Sequence, residues 1–149
     1  PVTTPTQDMV LGSYYLTIER PGEKGEGRYF SNPEEAILAY EMGEVGLHAI
    51  INVRITKNIN GEKRHKTIKT TTGRLIFNEG IPQDLGYVDR TKEENLFELE
   101  LNTLVDKSKL GDIVDRCYRL HGTTVTAEVL DKIKRKIFEI KNTYYKNMR

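Results

Sequence analysis

The pair Asn60-Gly61 constrains this chain more than any other feature. Both residues tolerate positive φ, and Asn-Gly between alternating runs marks a tight two-residue hairpin turn. On its N-terminal side Leu47, Ala49, Ile51, Val53 and Ile55 alternate with His48, Ile50, Asn52, Arg54 and Thr56. That period of two gives a strand one apolar face, with His48 on the polar side. The return strand is expected from about Lys66 to Asn78. A second alternation, Phe97, Leu99, Leu101, Thr103 and Val105, predicts a further strand. Between them, NEGIPQDLGYVDR reads as an ordered loop.

The flanks carry helical spacing. Val10, Leu11, Tyr14, Tyr15 and Ile18 form one stripe, with Gly12 a soft spot. Residues 21–27, PGEKGEG, are turn chemistry and lack the spacing of a phosphate loop. Ser31 and Glu34 read as a capping box, with Pro33 in the first turn, a stripe of Ala36, Ile37 and Tyr40, and a stop at Gly43. Leu110, Ile113, Val114, Cys117, Tyr118 and His121 mark a helix stopped by Gly122. Thr123 or Thr124 would cap the next helix, whose stripe is Leu130, Ile133, Ile137, Ile140 and Tyr144. The expected fold class is α+β, with terminal helices flanking an antiparallel sheet that includes the hairpin at Asn60-Gly61.

Charge is unevenly placed. The net charge of +1 hides three blocks. Residues 53–74 hold Arg54, Lys57, Lys63, Arg64, Lys66, Lys69 and Arg74 against Glu62 alone. Residues 79–106 hold eight acids against Arg90 and Lys92, and residues 132–149 hold seven basic residues against Glu139. Such blocks are ordinarily solvated faces; the hairpin cations are also the candidates for a phosphate or nucleic-acid surface. No apolar run has the ~20 residues of a membrane span. With one cysteine, Cys117, the chain is expected to be a single cytoplasmic domain. It starts at Pro1, so it is read as a piece of something longer.

Chemistry is sparse. His48, His65 and His121 lie at no metal-ligand spacing, so no metal site is expected. Cys117 falls on an apolar stripe and reads as core. Glu34-Glu35 is explained by helix capping, whereas Glu93-Glu94, Glu98 and Glu100 read as solvated. No hydrolase or metalloprotease motif appears. By itself the chain is expected to carry out no reaction.

Four segments together resemble one family. TQDMVLGSYYLT (Thr6–Thr17), GEGRYFSNPEEAILAYEMGEVGLHAIINVRI (Gly25–Ile55), TTTGRLIFNEGIPQDLGYVDR (Thr70–Arg90) and VDKSKLGDIVDRCYRLHGTTVTAEVLDKIK (Val105–Lys134) are collinear with the bacterial RNA polymerase β′ subunit. The loop at Gln83–Arg90 resembles Clostridia-type subunits. The resemblance covers residues 1–134 and implies the third domain of the large subunit, the pore or secondary-channel domain. Residues 135–149 depart from it and read as a divergent basic helical tail, not a polymerase feature. Thr72 stands where family members have an aliphatic residue, a mild change in the expected strand.

The resemblance implies a parent enzyme that makes RNA on a DNA template with two magnesium ions. In the family those ions sit on an NADFDGD loop, upstream of Pro1 and outside this chain, so no cofactor is expected here. Implied partners are other polymerase subunits and domains, DNA, RNA, nucleoside triphosphates and secondary-channel regulators such as transcript-cleavage factors. Gln7 and Asp8 follow the catalytic loop most closely and are the channel candidates nearest the active centre. Arg74 either faces phosphate or pairs with an acid. The alternative reading is an autonomous nucleic-acid-binding module using the basic hairpin and C-terminal helix. Against it, no aromatic array interleaves with the basic residues.

Overall fold

The computed structural model describes residues 4–148. Helix α1 (Gln7–Thr17) leads to a two-residue strand β1 (Tyr29–Phe30) and helix α2 (Pro33–Glu41). The hairpin strands β2 (Ile50–Ile59) and β3 (Glu62–Thr71) follow, then α3 (Thr72–Glu79). A 3-10 turn at Glu93–Asn95 interrupts a long irregular segment before α4 (Lys107–Asn147) closes the chain.

The hairpin turns where expected. Asn60 and Gly61 both have positive φ, and β2 and β3 pair antiparallel from Ile59↔Glu62 to Ile50↔Thr71. Ile51, Val53, Ile55 and Ile68 are buried, which fixes the register, because a one-residue slip would turn every one of them to water. The α+β class stands, but the sheet is mixed rather than antiparallel: β1 pairs with β2 in parallel. Two residues of strand carry too little periodicity to be seen in sequence.

Several expectations fail for identifiable reasons. The return strand ends at Thr71, not near Asn78, because Thr71 caps a helix: its hydroxyl accepts from Arg74 N at 3.1 Å. Thr72 is therefore the first residue of α3, not a strand residue. The capping residue of α2 is Asn32, accepting from Glu35 N at 2.8 Å, while the Glu35 carboxylate accepts from Ser31 N at 3.3 Å. The box is shifted by one residue, with Pro33 at the first helical position. Residues 97–105 form no strand. Their backbone donors are met by side chains instead: Glu100 N by Gln83, Leu101 N by Asn78 and Val105 N by Thr17. Of the five alternating residues only Phe97, Leu101 and Val105 are buried, and Glu100 between them is buried as well, while Thr103 is exposed.

The largest error concerns α1. Its buried residues are Met9, Ser13, Leu16 and Thr17, while Leu11, Tyr14 and Tyr15 face outward. The buried side is chosen by close approach rather than by apolar content. A Cβ on Gly12 would lie 2.4 Å from Ile137 Cδ1, so α4 packs onto the place where a side chain is missing. Gly122 breaks α4 as expected, with φ 85 and ψ −177 inside the run. Before it Leu110, Ile113, Val114 and Cys117 are buried; after it Thr126, Val129, Leu130, Ile133, Ile137 and Ile140 are.

The interior has two apolar clusters. One lies among α1, α3 and α4, the other between the sheet and α2. Ile37 and Tyr40 of α2 touch both. Helix α3 runs between them, with every residue from Thr72 to Asn78 buried.

Two substitutions test this packing. A Cβ at Gly73 would lie 1.9 Å from the Leu16 carbonyl oxygen, so Gly73→Ala forces two backbones apart. It should cost about 3 kcal/mol or more, read from the urea midpoint; a loss under about 1 kcal/mol would mean that the helices separate freely. The Thr72 hydroxyl is buried without a hydrogen-bond partner among the described residues. Thr72→Val removes that group at nearly constant shape and should raise stability by about 1 kcal/mol. A Tm below that of the parent chain would contradict this.

Candidate functional site

The expected site residues do not converge. Gln7 and Asp8 are exposed in the first turn of α1. Arg74 lies under its far end, where its Nε donates to Thr17 O at 3.0 Å and a terminal nitrogen donates to Glu19 Oε1 at 2.9 Å. Asp8 and Thr17 are nine helical rises apart, about 14 Å. The Arg74 side chain is 8% exposed, so its charge is engaged inside the fold. Of the two roles open to it from sequence, pairing with an acid is the one observed.

The hairpin cations meet the acidic block. Arg64 pairs with Glu93, and Lys66 pairs with Glu98 at 3.2 Å while donating to Glu94 O at 2.9 Å. Lys57 donates to Leu96 O at 2.7 Å. Burial, with Arg90 nearby, lowers the Lys57 pKa. Arg54 reaches Ser31 O at 3.4 Å, and Lys63 and Lys69 are exposed. These pairs are largely solvent-exposed and each adds at most ~1 kcal/mol, and they offset two of the hairpin's cations.

A polar network missed by sequence reasoning orders the loop between α3 and α4. Glu100, expected to be solvated, has a side chain with 0% exposure. It accepts from Arg90 at 3.1 Å and from Tyr87 N at 2.6 Å. Arg90 also donates to Asn95 O and Glu98 O. Asn78 donates to Leu101 O and Arg74 O, both at 2.7 Å. Tyr87 donates its hydroxyl to Asp112, and Arg116 stacks 4.0 Å over its ring. Burial and Asp112 push the Tyr87 pKa upward, and the same hydrogen bond holds Asp112 below its ordinary value. Partners this far apart in sequence leave no periodic signal.

His48 is also misplaced by pattern. It lies before β2 and is buried, not on a polar face. Its Nδ1 donates to Ile18 O at 3.1 Å, and Nε2 is buried with no hydrogen-bond partner among the described residues. The Tyr15 ring stands edge-on, 4.6 Å away by centroids. His121 meets Asp84 at 2.8 Å beside the α4 kink, and Cys117 is buried. Among the described residues no three His, Cys, Asp or Glu side chains are placed to hold a metal ion.

Comparison with known proteins shows the family. The RNA polymerase Rpb1, domain 3 family matches residues 1–144. The chain belongs to this family. The DNA-directed RNA polymerase subunit beta' of Thermoanaerobacter pseudethanolicus is 66% identical over 134 residues, 90% of this chain and 11% of that protein. The corresponding subunit of Clostridium acetobutylicum is 57% identical over 136 residues, 91% of this chain and 12% of that protein. This domain 3 chain thus spans about a ninth of the length of such relatives. The β′ and Clostridia-like resemblance is borne out. No helix among the described residues is long and apolar enough to cross a membrane.

Burial is the first cause that lowers the His48 pKa, with Glu23 opposing and Arg20 adding to it. A folded-state value below the unfolded ~6.5 means that the unfolded chain binds the proton first. The stability that neutral His48 contributes is present above about pH 6.5 and lost as pH falls toward the folded value. Wild type should therefore lose more stability on acidification from neutral pH than His48→Gln does. Parallel pH–stability curves for the two proteins would contradict the burial of a neutral imidazole.

Proposed function

We propose that this chain is the secondary-channel domain of the β′ subunit of a bacterial DNA-directed RNA polymerase. In this reading it is a non-catalytic wall of the passage for nucleoside triphosphates and backtracked RNA. The observation that carries it is the 66% identity, over 134 residues, to a β′ subunit of which the match covers 11%. The geometry supports a wall: Arg74, Glu100 and Asn78 are buried in structural pairs, and α3 is fixed on all sides. A rigid lining with a steady field raises the local concentration of a charged substrate without reacting with it.

The two magnesium ions of the parent reaction would activate the attacking oxygen and stabilise the leaving one. The donor groups of this chain do not fit such a site, since among the described residues no three carboxylate, His or Cys side chains converge. In this reading the ligands come from another part of the parent enzyme. Partners are the other subunits and β′ domains, template DNA, RNA and nucleotides, and regulators that enter the channel. The alternative, an autonomous nucleic-acid-binding module, draws no support from the hairpin, whose Arg64 and Lys66 are paired with Glu93 and Glu98.

The test is an exchange in a reconstituted Clostridium acetobutylicum polymerase, with residues 1–134 replacing the corresponding β′ segment. The hybrid should transcribe, while the isolated chain incorporates no nucleotide. A photoreactive RNA 3′ end, backtracked into the channel, should label this segment, including the Gln7–Asp8 end of α1. An assembled hybrid labelled only outside the segment would refute the channel reading.

A further inference from the structure

The C-terminal half of α4 presents a second surface, unrelated to the channel reading. Lys134, Phe138, Lys141 and Tyr145 recur at 4-3-4 spacing, which places them along one side of the helix over about 17 Å. All four are exposed, Phe138 by 64% and Tyr145 by 63%. Cations and aromatic rings therefore do interleave here, against the sequence expectation; the helix aligns residues that look scattered in the chain. Beside this strip, α1 and α4 enclose a groove of about 620 Å³. Its lining includes Leu11, Tyr15, Arg20, Tyr144, Tyr145 and Lys141, with Asp8 as the one acid. Tyr144 and Tyr145 pack edge to face at 5.7 Å, and the Arg20 guanidinium lies 5.9 Å over the Tyr15 ring.

We propose that this strip and groove bind single-stranded nucleic acid, with bases stacking on Phe138 and Tyr145 and phosphates meeting Lys134, Lys141 and Arg20. Charge complementarity selects the occupant. Residues 132–149 hold seven basic side chains against one acid. Lys136 is engaged by Glu79, but among the described residues Lys134 and Lys141 have no carboxylate within ion-pair distance. Lysines are depleted from the cores of protein interfaces, whereas alternating rings and cations suit a strand with free base faces. Base pairs in a duplex have no free face to offer these rings, which makes a single strand the ligand.

The experiment is fluorescence anisotropy of a fluorescein-labelled uridine dodecamer titrated with the 149-residue chain at rising potassium chloride. Three phosphate-facing cations predict a log–log salt slope of about −2. Phe138→Ala and Tyr145→Ala should each weaken binding about tenfold without changing that slope. Lys141→Glu should weaken binding and flatten the slope. Because these residues are exposed, unchanged thermal unfolding of each variant confirms a folded protein. Lys63→Glu and Lys69→Glu on the hairpin should leave binding intact. Absence of binding at low salt, or loss through the hairpin variants alone, would overturn the proposal. So would concentration-dependent self-association that Phe138→Ala abolishes with no RNA bound, since the strip would then be a protein-docking face.

Discussion

At Leu16 and Gly73 two helix backbones touch with no side chain between them. A Cβ on Gly73 would fall 1.9 Å from the Leu16 carbonyl oxygen, and the Gly73 amide donates to Leu47 O at 3.0 Å. Three segments distant in sequence are thereby brought to one point: the end of α1, the approach to β2 and the start of α3. The next residue completes the joint, as Arg74 donates to Thr17 O and to Glu19. The pair is half-buried: removing Glu19 would leave the buried Arg74 guanidinium short of its one carboxylate partner among the described residues. Glu19 is partly exposed, so water moderates that loss here. With α3 seated, Asn78 at its other end meets the backbone of Leu101, which orders the long loop. Val105 then reaches the Thr17 hydroxyl at 2.8 Å and returns the chain to α1 before α4 begins.

The charge blocks follow from the same architecture. Viewed along the chain, residues 53–74 are strongly basic and residues 79–106 strongly acidic. In the fold one segment lies against the other, so Arg64, Lys66 and Lys57 face Glu93, Glu98 and the Leu96 carbonyl. Neutralisation across an internal contact is a different outcome from a solvated face or a polyanion site, and linear charge counting does not separate the three. Among the described residues the C-terminal block faces no such acidic segment. Lys136 finds Glu79, while Lys132, Lys134, Arg135, Lys141 and Lys146 are exposed.

What could be read from sequence divides along physical lines. The hairpin was legible because Asn60-Gly61 and an alternating strand agree. The break at Gly122 was legible because only a positive φ interrupts an otherwise continuous helical pattern there. The buried face of α1 was not, because small residues at Gly12 and Ser13 admit α4 while large apolar residues turn outward. Hydrophobic periodicity assumes that the largest side chains face the core, and a close helix crossing inverts that assumption. Residues 97–105 alternated like a strand, yet they form no backbone ladder with the edge strand β3, which they meet through the Asn102 side chain at Lys69 O and the Thr70 hydroxyl. Their amides found Gln83, Asn78 and Thr17 instead, which no local pattern encodes. Arg74 was singled out by resemblance, and its role was decided by Glu19, fifty-five positions away.

These arrangements bear on how a domain 3 chain would serve as a channel wall. A group that steers a passing anion must keep its charge uncompensated, and a group that holds the wall must give its charge up to a partner. Arg74 and Arg90 are in the second class, fixed to Glu19 and Glu100. Gln7 carries no charge, and Asp8 keeps its charge exposed on the first turn of α1, whose last turn is clamped by Arg74. Helix α1 is clamped at its last turn by Arg74 and packed along its length, with Met9 in the core and Gly12 against Ile137 of α4, so its direction is fixed by the fold. On the channel reading, the buried arginine therefore matters less for meeting phosphate than for fixing the direction in which α1 points.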